Sequence, residues 1–307
     1  MTSYTQFPNK QQEIIRLFNS GSYQACYQLL NEMTHEYPLM LDKLAFWKAS
    51  LQLTEGKQEE ALKTLHQAFE KGYWVHPDMY EMDDEFNVLE QSPDFKELIR
   101  QTKEALARKK ASSRALLLEK GNPIAKTGVY ALHMRYSNAE VFSEMFLNPG
   151  LSKEFAFGFA QSSQAESSHA FVWDDAKQAK TDIETTLNLF QRQHSFENLI
   201  ITGASQGGRH AIETALQHSS VKGFIAVIPY IQDLSAIQRL ARQVSNGVKG
   251  VIIAGEQEIS YESTCKLVDL LKENDIPHHF ISIKNMGHTF PEDFGRYFVD
   301  AVDFILD

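Results

Sequence analysis

The sequence of 307 residues contains little cysteine, no cluster of basic residues and no long apolar run. Its two cysteines, Cys26 and Cys265, lie far apart, which excludes a disulfide scaffold and a metal site built from Cys-x-x-Cys pairs. The net charge is −10, from 30 basic and 40 acidic residues. Because nucleic acids are bound through clustered Lys and Arg, we do not expect a nucleic-acid partner.

Segments that would cross or enter a membrane are also missing. The longest apolar runs, such as residues 224–231 (FIAVIPYI), have the length of a strand, whereas a membrane-spanning helix needs about 20 apolar residues. The N-terminus lacks the basic segment followed by an apolar segment that marks a secretory signal peptide. These absences predict a cytoplasmic protein without a membrane span.

Motifs for cofactors and metal ions are weak. The adjacent His278 and His279 have no second ligand cluster at metal-binding spacing, and we interpret them as strand residues on opposite faces. Residues 203–208 (GASQGG) have the glycine spacing of a phosphate-binding loop, but Arg209 and His210 follow where that loop needs Lys and Ser or Thr. We therefore expect neither a cofactor nor a metal.

Residues 10 to about 111 have a helical pattern. Apolar residues recur there at spacings of three and four, as in Leu44, Trp47 and Leu51. The stretch 21–33 (GSYQACYQLLNEM) is echoed 35 residues later by 56–69 (GKQEEALKTLHQAF). This echo predicts two copies of one pair of helices.

A helix-pair repeat of this length, with glycine at the turn, resembles the tetratricopeptide repeat. Pro38 stands where that repeat has its closing proline, although the second copy has none at the equivalent position. The alternative is an ordinary helical bundle. The resemblance implies that this part of the chain binds a protein partner.

The pattern changes after the polar run at residues 108–114 (RKKASSR). From there seven short apolar segments alternate with helical segments, which favours a mostly parallel sheet with helices on both faces. We therefore predict a helical-repeat domain over residues 1–112 and an α/β domain over residues 113–307.

Residues 203–207 (GASQG) lie where an apolar strand changes directly into a helix. Such a turn holds its central residue, Ser205, in a strained backbone conformation, and small residues two positions away on either side prevent a clash. The serine hydroxyl is then raised above the edge of the sheet, near a helix N-terminus that stabilises negative charge. Ser205 is the predicted nucleophile, and a purely structural turn is the alternative.

A serine nucleophile needs a base and an acid that orients the base. Glu258 follows a later strand, and His288 lies in the loop before the last helix. In a parallel sheet the carboxyl ends of the strands meet at one edge, so these side chains can converge on Ser205. Glu256 and Asp233 are the alternatives for the acid.

These residues resemble the α/β-hydrolase superfamily, and within it the small carboxylesterases and related phospholipases and thioesterases. Three stretches carry the resemblance: GASQGG, residues 131–142 (ALHMRYSNAEVF) and the segment that ends in FVWDD at residue 175. The resemblance implies an α/β-hydrolase fold, with the oxyanion bound by the backbone N–H groups of Gln206 and Arg135.

The same resemblance implies a pocket lined by Met134, Tyr136 and Trp173. The superfamily usually has glycine at the position of Met134, so the shape of the loop that carries the Arg135 N–H departs from the pattern.

These predictions describe a serine hydrolase that cleaves a small carboxylic ester or thioester. Two alternatives stay open at this point. In the first, the chain is a catalytically weak or inactive hydrolase scaffold that acts as a repeat-domain adaptor. In the second, it is a serine peptidase.

Overall fold

The computed structural model describes residues 4–244 and 247–307. Contacts divide the chain into two compact units. The first contains Met1–Ser113 and Gln164–Phe171, and the second contains Arg114–Ser163 and Val172–Asp307. The sequence did not predict that Gln164–Phe171 would belong to the first unit. We predicted two domains that fold independently, over residues 1–112 and 113–307. These limits stay a prediction.

The first unit consists mainly of helices. Its α-helices are α1 (Phe7–Asn19), α2 (Tyr23–Glu36), α3 (Leu41–Thr54), α4 (Gln58–Glu70), α5 (Asp78–Met82) and α6 (Pro93–Ser112), and short 3₁₀ helices span Tyr4–Gln6, Pro38–Met40 and Asp84–Leu89. Buried aromatic and aliphatic side chains, including Phe46, Leu65, Tyr80 and Phe86, form the core between α3, α4 and the segments that follow.

The 35-residue echo corresponds to two matching turns. Gly21 lies two residues after the end of α1 and Gly56 two residues after the end of α3, with φ of 71° and 73°. The residue after each glycine donates its N–H to a carbonyl five residues earlier, from Ser22 to Leu17 and from Lys57 to Gln52. This is the helix ending that glycine favours, because it adopts positive φ without steric cost. Whether the two pairs are tetratricopeptide repeats stays a prediction.

Residues 164–172 form a short hairpin, of which Gln164–Phe171 belongs to the first unit. Its strands are β4 (Gln164–Ala165) and β5 (Phe171–Val172). Ser167 Oγ donates to buried Asp42 Oδ2 at 3.0 Å, and Ser168 Oγ accepts from Trp74 N and donates to Trp74 O, both at 3.0 Å. These contacts join positions that are 94 and 125 residues apart, so no local sequence pattern reports them.

The second unit contains a seven-stranded sheet flanked by helices. Its strands are β1 (Leu116–Gly121), β2 (Thr127–Leu132), β3 (Ala156–Gln161), β6 (Asn198–Ala204), β7 (Gly223–Val227), β8 (Lys249–Gly255) and β9 (His278–Ile283). Its helices are α7 (Ala139–Phe146), α8 (Pro149–Glu154), α9 (Ala176–Gln193), α10 (Gln206–Gln217), α11 (Ser235–Ala241), α12 (Tyr261–Glu273) and α13 (Phe294–Leu306).

The strand order is β1-β3-β2-β6-β7-β8-β9. Within this seven-stranded sheet the edge pair β1–β3 is antiparallel and the other five pairs are parallel. The predicted fold class, a helical region followed by a mostly parallel α/β sheet, is confirmed. The carboxyl ends of β2, β6, β8 and β9 therefore lie at one edge of the sheet.

The central strands are apolar on both sides because helices cover both faces of the sheet. Every residue of β2 and β7 is buried. Within the described residues, no helix is long and apolar enough to cross a membrane.

Candidate active site

Ser205 occupies a strained turn between β6 and α10. Its φ of 53° and ψ of −119° lie outside the regions that residues with a Cβ normally adopt. The turn is held on both sides, because Ser205 N donates to Val227 O and Ser205 O accepts from Tyr230 N, both at 3.0 Å. The strained conformation is thus fixed by the neighbouring strand β7 and the segment that follows it.

The glycines on either side of Ser205 have a direct steric reason. A Cβ on Gly203 would lie 2.3 Å from Gly207 O, and one on Gly207 would lie 2.2 Å from Leu132 O. Both distances are far below van der Waals contact, and the atoms met are backbone atoms that cannot rotate away. The turn therefore requires glycine at both positions.

The structure brings the three predicted catalytic side chains into one chain of hydrogen bonds. His288 Nε2 lies 2.9 Å from Ser205 Oγ, and His288 Nδ1 lies 2.9 Å from Glu258 Oε2. Because a carboxylate only accepts, Nδ1 carries the ring proton and Nε2 is free to accept the proton of the serine hydroxyl. The Glu258 side chain is fully buried, whereas that of His288 is 36% exposed.

The loops that carry Glu258 and His288 meet at the end of β8. A Cβ on Gly255 would lie 2.1 Å from Met286 O, so glycine permits this close approach. Gln257 N donates to Met286 O at 3.0 Å and fixes the two loops together. Glu258 Oε1 is buried and has no hydrogen-bond partner among the described residues.

The two alternative acids lie in other interactions. Asp233 is exposed and accepts hydrogen bonds from the backbone N and the hydroxyl of Ser235. Glu256 accepts from Ser282 Oγ at 3.1 Å. The carboxylate that contacts His288 is that of Glu258.

The two N–H groups predicted to bind an oxyanion belong to different elements. Gln206 is the first residue of α10, and the N–H groups in the first turn of a helix have no partner within the helix. Arg135 lies in the loop after β2, which we call the β2 loop (residues 133–137). Met134 is half-buried, and its φ lies outside the positive region, so the backbone does not require glycine there.

His133 at the start of the β2 loop was not among the predicted site residues. It is fully buried, its Nδ1 donates to Met134 O at 2.7 Å, and its Nε2 accepts from Ser162 N at 3.2 Å. Burial lowers the pKa of His133 to about 4, so the ring is neutral near pH 7. A neutral ring is the form that can donate at one nitrogen and accept at the other.

The three predicted pocket residues differ in exposure. Tyr136 is 41% exposed and has a φ of 58°, and Met134 is half-buried. Trp173 is 2% exposed, its indole lies 4.7 Å from the His133 ring, and its Nε1 donates to His133 O at 3.0 Å. Trp173 thus supports the β2 loop through its two contacts with His133. Its role in lining a pocket stays a prediction.

The alternative of a phosphate-binding loop lacks support in the geometry. Arg209 pairs with Glu213 at 2.9 Å, and His210 is buried and also contacts Glu213. No three His, Cys, Asp or Glu side chains of residues 4–244 and 247–307 are grouped as metal ligands would be.

Comparison with known proteins finds a family model that matches the first unit and solved structures that share the fold of the second. Residues 3–110 match the family model of the A/B hydrolase-like, N-terminal domain. The solved structure of an uncharacterised protein from Bacillus cereus ATCC 10987 is 26% identical, with a TM-score of 0.54 over 97% of this chain and 98% of that one.

Two further solved structures resemble a smaller share of the chain. Esterase PE8 is 16% identical, with a TM-score of 0.50 over 61% of this chain and 98% of that one. Est1E from Butyrivibrio proteoclasticus, solved with ferulic acid, is 12% identical, with a TM-score of 0.51 over 63% of this chain and 95% of that one. The chain has an α/β-hydrolase fold.

The predicted resemblance to the α/β-hydrolase superfamily is therefore confirmed at the level of the fold, and a helical N-terminal region precedes that fold as expected. No curated protein matches this α/β-hydrolase-fold chain in sequence.

Proposed function

We propose that the chain is a serine hydrolase that cleaves a carboxylic ester or thioester through an acyl-enzyme on Ser205. The observation that carries this proposal is the continuous hydrogen-bond chain from Ser205 Oγ through His288 to Glu258, with both distances 2.9 Å. A buried acid, an imidazole of defined tautomer and a serine on a strained turn are the parts that acyl transfer requires.

In the first step Ser205 Oγ attacks the acyl carbonyl carbon while its proton moves to His288 Nε2. The carbonyl π electrons move to the oxygen, which becomes an oxyanion. When the tetrahedral intermediate collapses, the bond to the alcohol or thiol breaks, and His288 Nε2 returns the proton to the leaving oxygen or sulfur. Glu258 holds the ring and stabilises its transient positive charge.

In the second step water attacks the acyl-enzyme. His288 Nε2 accepts a proton from that water, and the new tetrahedral intermediate collapses with loss of Ser205 Oγ, which regains the proton. The product is a carboxylic acid. In both steps the proposed oxyanion donors are the N–H groups of Gln206 and Arg135, with the helix N-terminus of α10 behind Gln206.

The position of Met134 is compatible with this proposal. Glycine is needed where a backbone adopts positive φ or must approach another group closely. Met134 does not adopt positive φ. The residue in the β2 loop that does so is Tyr136.

A fluorophosphonate probe tests the proposed nucleophile, because it forms a covalent bond only with an activated serine. We expect a single adduct on the full-length protein by intact mass, located on Ser205 by peptide mapping, and none on Ser205→Ala. An unlabelled, folded wild-type protein would contradict the proposal and favour the adaptor alternative. The hydrolysis rates of esters, thioesters and peptide amides of graded acyl length then separate an esterase from a peptidase. They are measured on unlabelled protein from a preparation that reacts with the probe.

Three matched substitutions test the identity of the acid. Glu258→Gln should lower kcat by about 10³- to 10⁴-fold, because the imidazole loses the carboxylate that fixes its tautomer and stabilises its charge. Glu256→Gln and Asp233→Asn make the same chemical change at carboxylates that contact serines and should leave kcat within about twofold. A larger loss in either control than in Glu258→Gln would assign the acid elsewhere.

A further inference from the structure

We propose that Asp174 is a positioning residue that sets the distance between the N–H groups of Arg135 and Gln206, the two donors of the proposed oxyanion hole. The proposal rests on the proposed function and adds to it the residue that aligns the two donors. Asp174 itself contacts neither Ser205 nor His288 in any described hydrogen bond. Its effect is transmitted through the side chains of the two residues whose backbones carry the donors.

One carboxylate joins the two donor residues. Asp174 Oδ1 accepts from Arg135 Nε at 3.0 Å and from Gln206 Nε2 at 2.8 Å, and Asp174 Oδ2 accepts from Arg135 Nη2 at 2.6 Å. The contact with Arg135 is bidentate, which fixes the orientation of the guanidinium as well as its distance. The hydrogen bonds from the Arg135 guanidinium also hold the pKa of Asp174 below the ordinary range, so the carboxylate is charged near pH 7.

The residue before Asp174 makes the same connection through its backbone and ring. Trp173 N donates to Gln206 Oε1 at 2.9 Å, and Trp173 Nε1 donates to His133 O at 3.0 Å. The amide of Gln206 is therefore fully oriented, with its oxygen on Trp173 and its nitrogen on Asp174. Two consecutive residues thus connect the first turn of α10 with the β2 loop.

The β2 loop needs such support at Arg135 and Tyr136. Tyr136 has a φ of 58°, a conformation that is costly for a residue with a Cβ and persists only when neighbours fix it. The Arg135 guanidinium lies 4.2 Å from the centre of the Tyr136 ring, so Asp174 orients a group that in turn covers Tyr136. Without Asp174, the segment that carries the Arg135 N–H loses the ion pair between Arg135 and Asp174.

A small displacement of either donor is expected to affect the transition state more than substrate binding. An oxyanion donor acts on charge that develops during the reaction, and its distance from that charge must be close to that of a hydrogen bond. A misplacement of about 1 Å can cost about 100-fold in rate. Asp174→Asn should therefore lower kcat about 10- to 100-fold and leave KM within about threefold.

The test compares Asp174→Asn with Glu144→Gln in the full-length protein. Glu144 forms an ion pair with Lys120 at 2.8 Å in the same unit, and its side chain is 47% exposed against 44% for Asp174. Both substitutions replace a paired, half-exposed carboxylate with an amide. For each variant we would measure thermal stability, kcat, KM, the labelling rate of Ser205 by a fluorophosphonate, and the Kd of a trifluoromethyl ketone that forms an oxyanion on Ser205.

The proposal predicts that Asp174→Asn raises the Kd of the trifluoromethyl ketone by the same factor by which it lowers kcat/KM. Glu144→Gln should change neither quantity. Arg135→Lys, which keeps the charge and loses the bidentate contact, should give a smaller loss of the same kind. Unchanged ketone affinity and labelling rate in a folded Asp174→Asn protein would overturn the proposal and leave the proposed function standing. If Asp174→Asn does not fold, Arg135→Lys decides by the same two readouts. Absence of wild-type labelling would instead overturn the proposed function and, with it, this role for Asp174.

Discussion

The turn at Ser205 and the β2 loop each carry one proposed oxyanion donor, but they are held in different ways. The Ser205 turn is determined by backbone sterics, because Gly203 and Gly207 leave no room for a Cβ and the serine itself has a φ of 53°. The β2 loop is held by hydrogen bonds to distant parts of the sequence. Its own His133 accepts from Ser162 N and Trp173 Nε1, and its Arg135 donates to Asp174.

This difference determines how each part should respond to substitution. A steric constraint on backbone atoms has no alternative arrangement, so a single added methyl group should distort the turn. A set of polar contacts is shared among several residues, so the loss of one should weaken the loop by a smaller amount. The following predictions test the difference in order of decreasing effect.

Gly207→Ala should have the largest effect. Its added Cβ would lie 2.2 Å from Leu132 O, so backbone atoms of β2 or α10 must move. We expect a loss of about 3 kcal/mol or more in the free energy of unfolding, and a loss of about 100-fold or more in Ser205 labelling.

Gly208→Ala is the matched control for Gly207→Ala. Its nearest new contacts would be at 3.2 Å, and alanine is the better residue in a helix by about 1 kcal/mol. It should change urea-induced unfolding and labelling much less. Equal effects of the two alanines would refute the steric account of the turn.

His133 should make the stability of the protein depend on pH. Its pKa is about 4 in the folded protein against an ordinary value of 6.5, so the unfolded chain binds the proton more strongly. The contribution of the neutral ring is complete above about pH 6.5 and is lost as the pH falls toward 4. The difference corresponds to about 3 kcal/mol, of which roughly 2 kcal/mol is lost by pH 4.5.

The measurement is the apparent free energy of unfolding in urea at pH 7 and pH 4.5 for the wild type and for His133→Gln. The variant lacks the titrating ring, so its stability should fall by roughly 2 kcal/mol less than that of the wild type over this range. Parallel losses in the two proteins would show that His133 is not buried in its neutral form.

Trp173→Phe should have the smallest of these effects. Phenylalanine keeps an aromatic ring at this position but lacks the indole N–H that donates to His133 O at 3.0 Å. The loss of this hydrogen bond should lower the free energy of unfolding by about 1 to 2 kcal/mol and kcat a few-fold. Trp74→Phe, at a buried tryptophan of the first unit, makes the same change and should leave kcat unchanged. If Trp173→Phe left kcat unchanged while Trp74→Phe reduced it, the proposed role of Trp173 in supporting the β2 loop would be wrong.

The parts of the fold that could be predicted from the sequence are those with local causes. The seven apolar segments predicted as strands form the seven strands of the main sheet. The five inner strands are buried on both faces, which leaves a continuous apolar run, whereas β1 and β9 at the edges of the sheet are only partly buried. The turn at Ser205 could be predicted because its glycines and its serine lie within five residues. The proximity of Glu258 and His288 followed from their positions after parallel strands, while their catalytic roles stay proposals.

The parts that could not be predicted depend on contacts between distant positions. Trp173 reaches His133 across 40 residues and Gln206 across 33 residues. The hairpin at Gln164–Phe171 belongs to the first unit because Ser167 and Ser168 find partners 125 and 94 residues earlier. Serine, tryptophan and aspartate at single positions carry no periodic signal, so a sequence pattern cannot distinguish such contacts from surface positions.

The central claim, that Ser205 and His288 act as one catalytic unit, is tested most directly by a double-mutant cycle. We would measure kcat for p-nitrophenyl butyrate with Ser205→Ala, His288→Ala and the double variant, each checked for folding by circular dichroism. Both single variants should lose about 10⁶-fold, and the double variant should lose little more, because each substitution already abolishes the same acyl transfer. Losses that multiply in the double variant, or a His288→Ala protein that keeps most of its kcat, would contradict the claim.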